Sequence, residues 1–122
     1  MAENVTRLMP CEHVSLDPLQ VRICHPDLAP EDAEDLFEGA RVEIGLLHLR
    51  MGEQYAAYDF ANYARNLRRL SRLTATLGNR KLLRATRHVQ DCLDRADSTG
   101  LAATWARLSR LAHQASGEAM TT

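Results

Sequence analysis

Four runs of apolar residues at spacings of three and four, separated by short breaks, are the feature that most constrains the fold of this chain. Such spacing places apolar side chains on one face of an α-helix. The runs predict helices from Pro30 to Met51, from about Glu53 to Leu77, from about Arg80 to Ala96 and from about Leu101 to Ser116. Because short connections make consecutive helices antiparallel neighbours, the pattern predicts an all-α, antiparallel four-helix bundle.

Proline, glycine and capping residues mark the ends of these predicted helices. Pro30 suits a first helical turn, and the acidic residues that follow it favour the positive end of a helix dipole. Gly52 is predicted to end the first helix. Gly78 is predicted to end the second, with Asn79 as the N-cap of the third. The segment 97–100 (DSTG) predicts a turn and a further cap before the fourth helix.

The two ends of the chain fall outside the predicted bundle. The 122 residues suffice for one domain, and we place its bundle at residues 30–117. Residues 1–29 are predicted to be an irregular N-terminal arm. Within it, Val14 to Ile23, interrupted by Pro18, suits either a short extended or hairpin-like piece or an irregular segment that lies on the domain. Residues 118–122 are predicted to be a frayed tail.

Composition narrows the class of protein and its compartment. The apolar fraction of 45% and the charged fraction of 25% are typical of a soluble globular domain. No apolar run approaches the roughly 18 residues that a membrane span needs, and Met1 to Pro10 is too polar for a secretory signal. Three cysteines without a CxxC pair favour reduced thiols. We therefore expect a cytoplasmic protein without a membrane partner.

Charge is strongly segregated along the sequence. The stretch between Ala61 and Asp91 holds eight basic residues and no acid, whereas Asp27 to Glu43 holds seven acids against the single Arg41. Such segregation indicates a surface that meets a charged partner. Solvated helix faces are the alternative explanation. The residues expected to contact a partner are Arg65, Arg68, Arg69, Arg72, Arg84, Arg87 and His88.

The sequence contains no recognisable catalytic motif, so we expect neither an enzyme nor a cofactor. Cys11, His13, Cys24 and His25 have side chains that can bind zinc. Their spacing does not match a structural zinc site, and adjacent Cys24 and His25 would struggle to reach one tetrahedral centre. No metal site is predicted. Cys92 suits a buried position on the third predicted helix.

The run from Phe60 to Gly78, FANYARNLRRLSRLTATLG, resembles the central helix of histidine-containing phosphotransfer (HPt) domains. That family shows a pattern like H-x-L-K-G-S-A-x-x-L-G. Leu70, Leu77 and Gly78 match it, and Arg68 stands at the phosphoacceptor position. The flanking segments look like the other helices of the family, so the resemblance covers about Pro30 to Ser116.

Departures from the family pattern decide what the resemblance implies. Arg68 replaces the histidine, Ser71 the usual lysine and Arg72 the small glycine. An arginine stays protonated and cannot accept a phosphoryl group as imidazole does. The resemblance therefore implies a degenerate domain that docks on a response-regulator receiver or a histidine kinase domain without transferring phosphate. An exposed Arg68 in the middle of its helix would favour this hypothesis, and an Arg68 buried in an ion pair would weaken it.

Other functions remain open at the level of sequence. The basic stretch has the charge to bind nucleic acid, although the isoelectric point is near neutral and no helix-turn-helix or basic-zipper pattern occurs. A structural bundle is a further alternative, in which the acidic first helix of one copy meets the basic helices of another. The same charges can also pair within one chain. His88 is a displaced candidate phosphoacceptor, and His48 is expected to be partly buried.

Overall fold

The computed structural model describes residues 16–117, which form five α-helices and no strand. The helices are α1 (Pro18–Cys24), α2 (Pro30–Ala56), α3 (Phe60–Leu77), α4 (Arg80–Asp94) and α5 (Ser98–Gly117). The prediction of an all-α chain is confirmed for this part. No helix in it is both long and apolar enough to cross a bilayer. The predicted tail, Cys11, His13 and the stretch Met1 to Pro10 lie outside the described residues.

The four long helices pack in a ring, and α1 lies against two of them. Each of α2, α3, α4 and α5 contacts the helix before it and the helix after it, with α5 closing the ring against α2. The short α1 packs on α2 and α3. Between α2 and α3, Glu43 forms an ion pair with Arg69, and Gln54 accepts a hydrogen bond of 3.1 Å from Asn66. The helices thus form a bundle-like fold with one shared interior.

The apolar stripes predicted from the sequence meet in this interior. All five helices contribute, and the largest side chains that are fully buried include Ile44, Met51, Tyr63, Leu67, Leu70, Leu82, Leu108 and Leu111. The apolar spacing also predicts that Ala56 and Ala96 belong to these stripes, and there the prediction is wrong, because both residues are exposed. Cys92, predicted to be buried, is 4% exposed. Burial of these stripes is the main force that holds the helices together.

The boundary between α2 and α3 differs from the prediction. Gly52 lies inside α2, which continues to Ala56, and α3 begins at Phe60 rather than near Glu53. A helical glycine costs only about 1 kcal/mol, and buried Met51 on one side of Gly52 and core-packed Tyr55 on the other hold the helix across it. The break comes where Asp59 donates its backbone N–H to Gln54 at 2.8 Å.

Aromatic side chains from three helices pack together at the turn between α2 and α3. Tyr55 of α2, Phe60 and Tyr63 of α3, and Trp105 of α5 form one cluster, with the rings of Tyr63 and Trp105 5.3 Å apart. Tyr63 is fully buried, and this burial raises the pKa of its hydroxyl above the usual range. The hydroxyl has no hydrogen-bond partner among the described residues. The cluster closes the end of the fold at which α3 begins.

Residues 18–24 form a helix, so the predicted extended or hairpin-like piece is wrong there. Pro18 occupies the first helical turn instead of interrupting a strand, and the Asp17 carboxylate caps the helix by accepting from the Leu19 N–H at 2.9 Å. Val21 is fully buried against the bundle. After the helix, His25 Nε2 lies 3.0 Å from the backbone oxygen of Thr76 on α3. One buried valine and one capping carboxylate therefore order a segment that its proline made look irregular.

His48 is partly buried, as predicted, and it links α2 to α5. Its Nε2 lies 2.5 Å from Ser109 Oγ, and its ring lies 5.7 Å from the Trp105 ring. Burial lowers the pKa of His48 from 6.5, and the nearby His113 lowers the pKa further. The folded chain therefore holds His48 neutral at pH values at which the unfolded chain already protonates it.

This shift gives a prediction for the pH dependence of stability. The contribution of His48 to the free energy of unfolding should be complete above about pH 6.5, the pKa of the unfolded chain, and should be lost as the pH falls toward the lower pKa of the folded chain. His48→Gln should flatten this part of the profile. Urea unfolding of both proteins between pH 8 and pH 5 measures the effect. Parallel profiles for the two proteins would show that His48 does not cause it.

Candidate interaction groove

An open groove runs between α3 and α4, with a cavity volume of ≈ 400 Å³. Its lining comes from one face of each helix: Leu67, Arg68, Ser71 and Arg72 of α3, and Thr86, Arg87, Gln90 and Asp94 of α4. We call it the basic groove. Because residues three and four apart share a helix face, the arginines at positions 68 and 72 open on the same side.

The floor of the basic groove is largely satisfied within the chain. Leu67 and Thr86 are buried, and Thr86 Oγ1 donates to the Leu83 carbonyl at 2.7 Å. Thr86 Oγ1 also lies 3.4 Å from Ser71 Oγ. Gln90 Nε2 donates to Asp94 Oδ1 at 2.9 Å. The floor is thus fixed by packing and short-range hydrogen bonds, so it supports the charged rim above it.

The rim carries three guanidinium groups for which the described residues supply no partner. Arg68, Arg72 and Arg87 are exposed, and within residues 16–117 none of their guanidinium groups forms a hydrogen bond or an ion pair. Asp94, in the last turn of α4, is the acidic residue of this lining. The rim therefore presents guanidinium N–H donors to solvent. These donors can form charge-assisted hydrogen bonds to carboxylate or phosphate oxygens.

The other four residues expected to contact a partner lie outside the basic groove. Arg65 is exposed and donates to Asn62 Oδ1 at 3.0 Å. Arg69 turns toward α2, where it pairs with Glu43. Arg84 is exposed on α4 outside the groove lining. His88 is also exposed, and its Nδ1 lies 3.2 Å from an Nη atom of Arg107 on α5.

The structure adds polar residues that sequence reasoning did not assign to a site. In the sequence, Ser71 stood out only as the residue that replaces the family lysine, and Thr86 was assigned to no site. Their hydroxyls meet at the floor of the basic groove. Gln90 and Asp94 complete the wall on α4. Thr86, Gln90 and Asp94 follow one another at intervals of four residues, and this spacing in the sequence predicts that they share a helix face.

Sequence analysis also did not identify an exposed apolar stripe on α2. Val42, Leu46 and Leu49 are 59%, 51% and 68% exposed, respectively. We call them the α2 stripe. They lie off the buried stripe of α2, and their spacings of four and three show the same periodicity on a second face. Two of them, Val42 and Leu46, line a shallow groove beside the Arg69–Glu43 ion pair.

The residues weighed as zinc ligands are not brought together in the described part of the chain. Cys24 is exposed, and His25 contacts the Thr76 backbone oxygen. Across residues 16–117, no three histidine, cysteine or acidic side chains cluster closely enough to hold a metal ion. The remaining two candidates, Cys11 and His13, fall outside this range.

The chemistry available at the basic groove is recognition of anions. Guanidinium groups donate hydrogen bonds and keep their charge at neutral pH, so they orient an oxyanion without accepting a phosphoryl group from it. The Ser71 hydroxyl lies within the same lining.

Comparison of the chain with protein-family models, with curated proteins and with solved structures gave no match.

Proposed function

We propose that this chain is a non-catalytic, HPt-like signalling adaptor or inhibitor in a two-component phosphorelay. It docks on a response-regulator receiver or a histidine kinase domain, and it acts in the cytoplasm. One observation carries the proposal. Arg68, at the position of the HPt phosphoacceptor, is exposed in the middle of α3 and borders the basic groove. Its guanidinium group has no ion-pair partner within residues 16–117.

The proposed architecture is an antiparallel four-helix bundle of the HPt type, formed by α2 to α5. Support comes from the order of contacts between neighbouring helices. Glu43 of α2 meets Arg69 of α3, whereas the later Gln54 meets the earlier Asn66. Rising residue numbers in α2 thus correspond to falling residue numbers in α3, as in an antiparallel pair. On this proposal α1 is an addition that packs against α2 and α3.

The proposed docking chemistry follows from the exposed arginines. The phosphorylation pocket of a receiver domain is rich in carboxylates, and arginine forms strong, charge-assisted hydrogen bonds with carboxylate oxygens. Arg68 and Arg72 project from the same side of α3, and Arg87 faces them from α4. Docking through this groove occupies the partner without transferring phosphate, because a guanidinium group is not a phosphoryl acceptor.

Binding to purified receiver and histidine kinase domains from the source organism tests the proposal. A partner should bind at low salt and bind more weakly at high salt, because the screening length falls from about 10 Å at 0.1 M to about 3 Å at 1 M. Incubation with the phosphorylated partner should leave no phosphohistidine on the chain. Salt-independent binding, or phosphohistidine at His48 or His88, would contradict the proposal.

The same measurements distinguish the two alternatives. Tight binding to generic duplex DNA with a steep salt dependence would favour a nucleic-acid-binding bundle. A salt-sensitive homodimer in sedimentation experiments would favour self-association. The exposed acidic residues at the start of α2 are the surface that such a dimer would place against the basic groove of a second copy: Glu31, Asp32, Glu34 and Asp35.

A further inference from the structure

We infer that the basic groove is a binding site for a phosphoryl group, held between Arg72 and Arg87 with help from Arg68 and the Ser71 hydroxyl. The inference rests on the proposed function, because the phosphoryl group would belong to a phosphorylated side chain of the docked partner domain. All residues of the site belong to this chain. Docking would then depend on whether the partner carries its phosphoryl group.

The partners of the α3 arginines separate the groove from its surroundings. Four arginines lie on α3, and the two outside the groove have internal partners: Arg65 bonds to Asn62, and Arg69 pairs with Glu43. The two that line the groove, Arg68 and Arg72, have neither an ion pair nor a side-chain hydrogen bond within residues 16–117. The donors of α3 that remain available therefore converge on one place, where Arg87 joins them from α4.

The charges of the groove favour a dianion over a carboxylate. Three guanidinium groups face one open volume, and like charges four residues apart on a helix repel each other. A phosphate monoester carries a charge of about −1.5 to −2 at pH 7 and three acceptor oxygens. It offers one more acceptor oxygen and more charge than a carboxylate, which has one charge and two oxygens. A phosphoryl group therefore neutralises more of this uncompensated charge.

The hydroxyls of the floor add a neutral donor to the site. Thr86 has one hydroxyl hydrogen, and its 2.7 Å bond to the Leu83 carbonyl is shorter than its 3.4 Å approach to Ser71. Thr86 therefore donates to Leu83, and the Ser71 hydroxyl can donate to Thr86 Oγ1 or, in its place, to a ligand oxygen. Asp94 repels anions from its own part of the groove, in the last turn of α4. These two features favour the region of Ser71, Arg72 and Arg87.

Titration of the ¹⁵N-labelled full chain with inorganic phosphate tests the site. Ionic strength is held constant by exchange with chloride, and the side-chain Nε–H signals of the arginines are followed by NMR. We expect saturable shifts at Arg68, Arg72 and Arg87, and a phosphate affinity at least about tenfold above that for acetate. Phosphate should also raise the unfolding temperature, because it binds only the folded chain.

Two variants make the titration specific. Arg72→Gln should weaken phosphate binding about tenfold or more, whereas Arg110→Gln, on an exposed α5 position outside the groove lining, should leave it unchanged. Equal shifts at all arginines, equal affinity for acetate, or equal losses in the two variants would each overturn the inference.

The outcome for phosphate is separable from the outcome for docking. If Arg72→Gln loses phosphate binding while the wild-type chain docks on no receiver or kinase domain, the anion site stands and the adaptor proposal fails. If the wild-type chain docks on a partner domain but shows no saturable phosphate binding, the adaptor proposal stands and the anion site is wrong.

Discussion

Arg68→Glu is expected to abolish docking on the partner domain while leaving the thermal unfolding temperature close to that of the wild-type chain. Arg68 is exposed, and within residues 16–117 its guanidinium group has no ion-pair partner to lose. A glutamate at this position has Arg65 three residues before it and Arg72 four residues after it, and such opposite charges attract on a helix surface. Folding should therefore tolerate the reversal.

Docking should not tolerate it, because the reversal introduces repulsion as well as removing a contact. A carboxylate at position 68 would face a carboxylate-rich partner pocket, and like charges in an interface cost more than the loss of one attraction. The matched control is Arg110→Glu, at an exposed position of α5 outside the basic groove. It changes the net charge equally and should leave docking intact.

A thermal melt and a binding measurement on each variant separate the possible outcomes. Early melting of Arg68→Glu would assign Arg68 a structural role. Normal melting with unchanged binding would show that the basic groove is not the docking surface. Loss of binding in both variants would point to net charge rather than to this site.

Leu70→Ala is expected to lower the free energy of unfolding by about 2–5 kcal/mol. Leu70 is fully buried on α3. Its truncation removes apolar area from the core and leaves a cavity, because the surrounding helices relax only partly. Native domains are stable by only about 5–15 kcal/mol in total, so this single change should visibly loosen the fold.

Leu49→Ala is the matched control, since the same side chain is truncated on the α2 stripe, where Leu49 is 68% exposed. Its effect on unfolding should stay within about 0.5 kcal/mol. Urea denaturation of the two variants gives the comparison. Equal losses would show that the α2 stripe is covered in the folded protein, and little loss in Leu70→Ala would contradict the assigned core.

The sequence was sufficient to predict the main helices, because apolar periodicity and capping residues are local signals that recur along the chain. The apolar periodicity predicted the buried faces of α2 to α5, with errors at the ends of the stripes. Gly78 ends α3 with φ 70°, and Asn79 caps α4 by accepting from the Leu82 N–H at 3.0 Å, as their positions predicted. Such capping depends on a few neighbouring residues, so it can be deduced without knowledge of the fold.

Prediction failed where a local signal competed with packing at a distance. Gly52 indicated a helix end, but core contacts at Met51 and Tyr55 carry α2 across it. Pro18 suggested an interruption, but Val21 is buried against the bundle and the Asp17 cap makes proline a good first residue. At Gly52 the deciding contacts come from residues far away in sequence, whereas at Pro18 the distant packing of Val21 adds to a local cap.

The candidate site shows the same division between sequence and tertiary structure. The acid-free run with its eight basic residues was visible in the sequence, and Arg68 and Arg72 lie within it. Which arginines act together depends on how α2 and α4 pack against α3. That packing neutralises Arg69 with Glu43 and brings Arg87 into the same groove as Arg68 and Arg72. Sequence alone thus determined the helices and the sign of their charge, whereas the grouping of charges into a site required the tertiary structure, because it depends on distances between helices that no local pattern encodes.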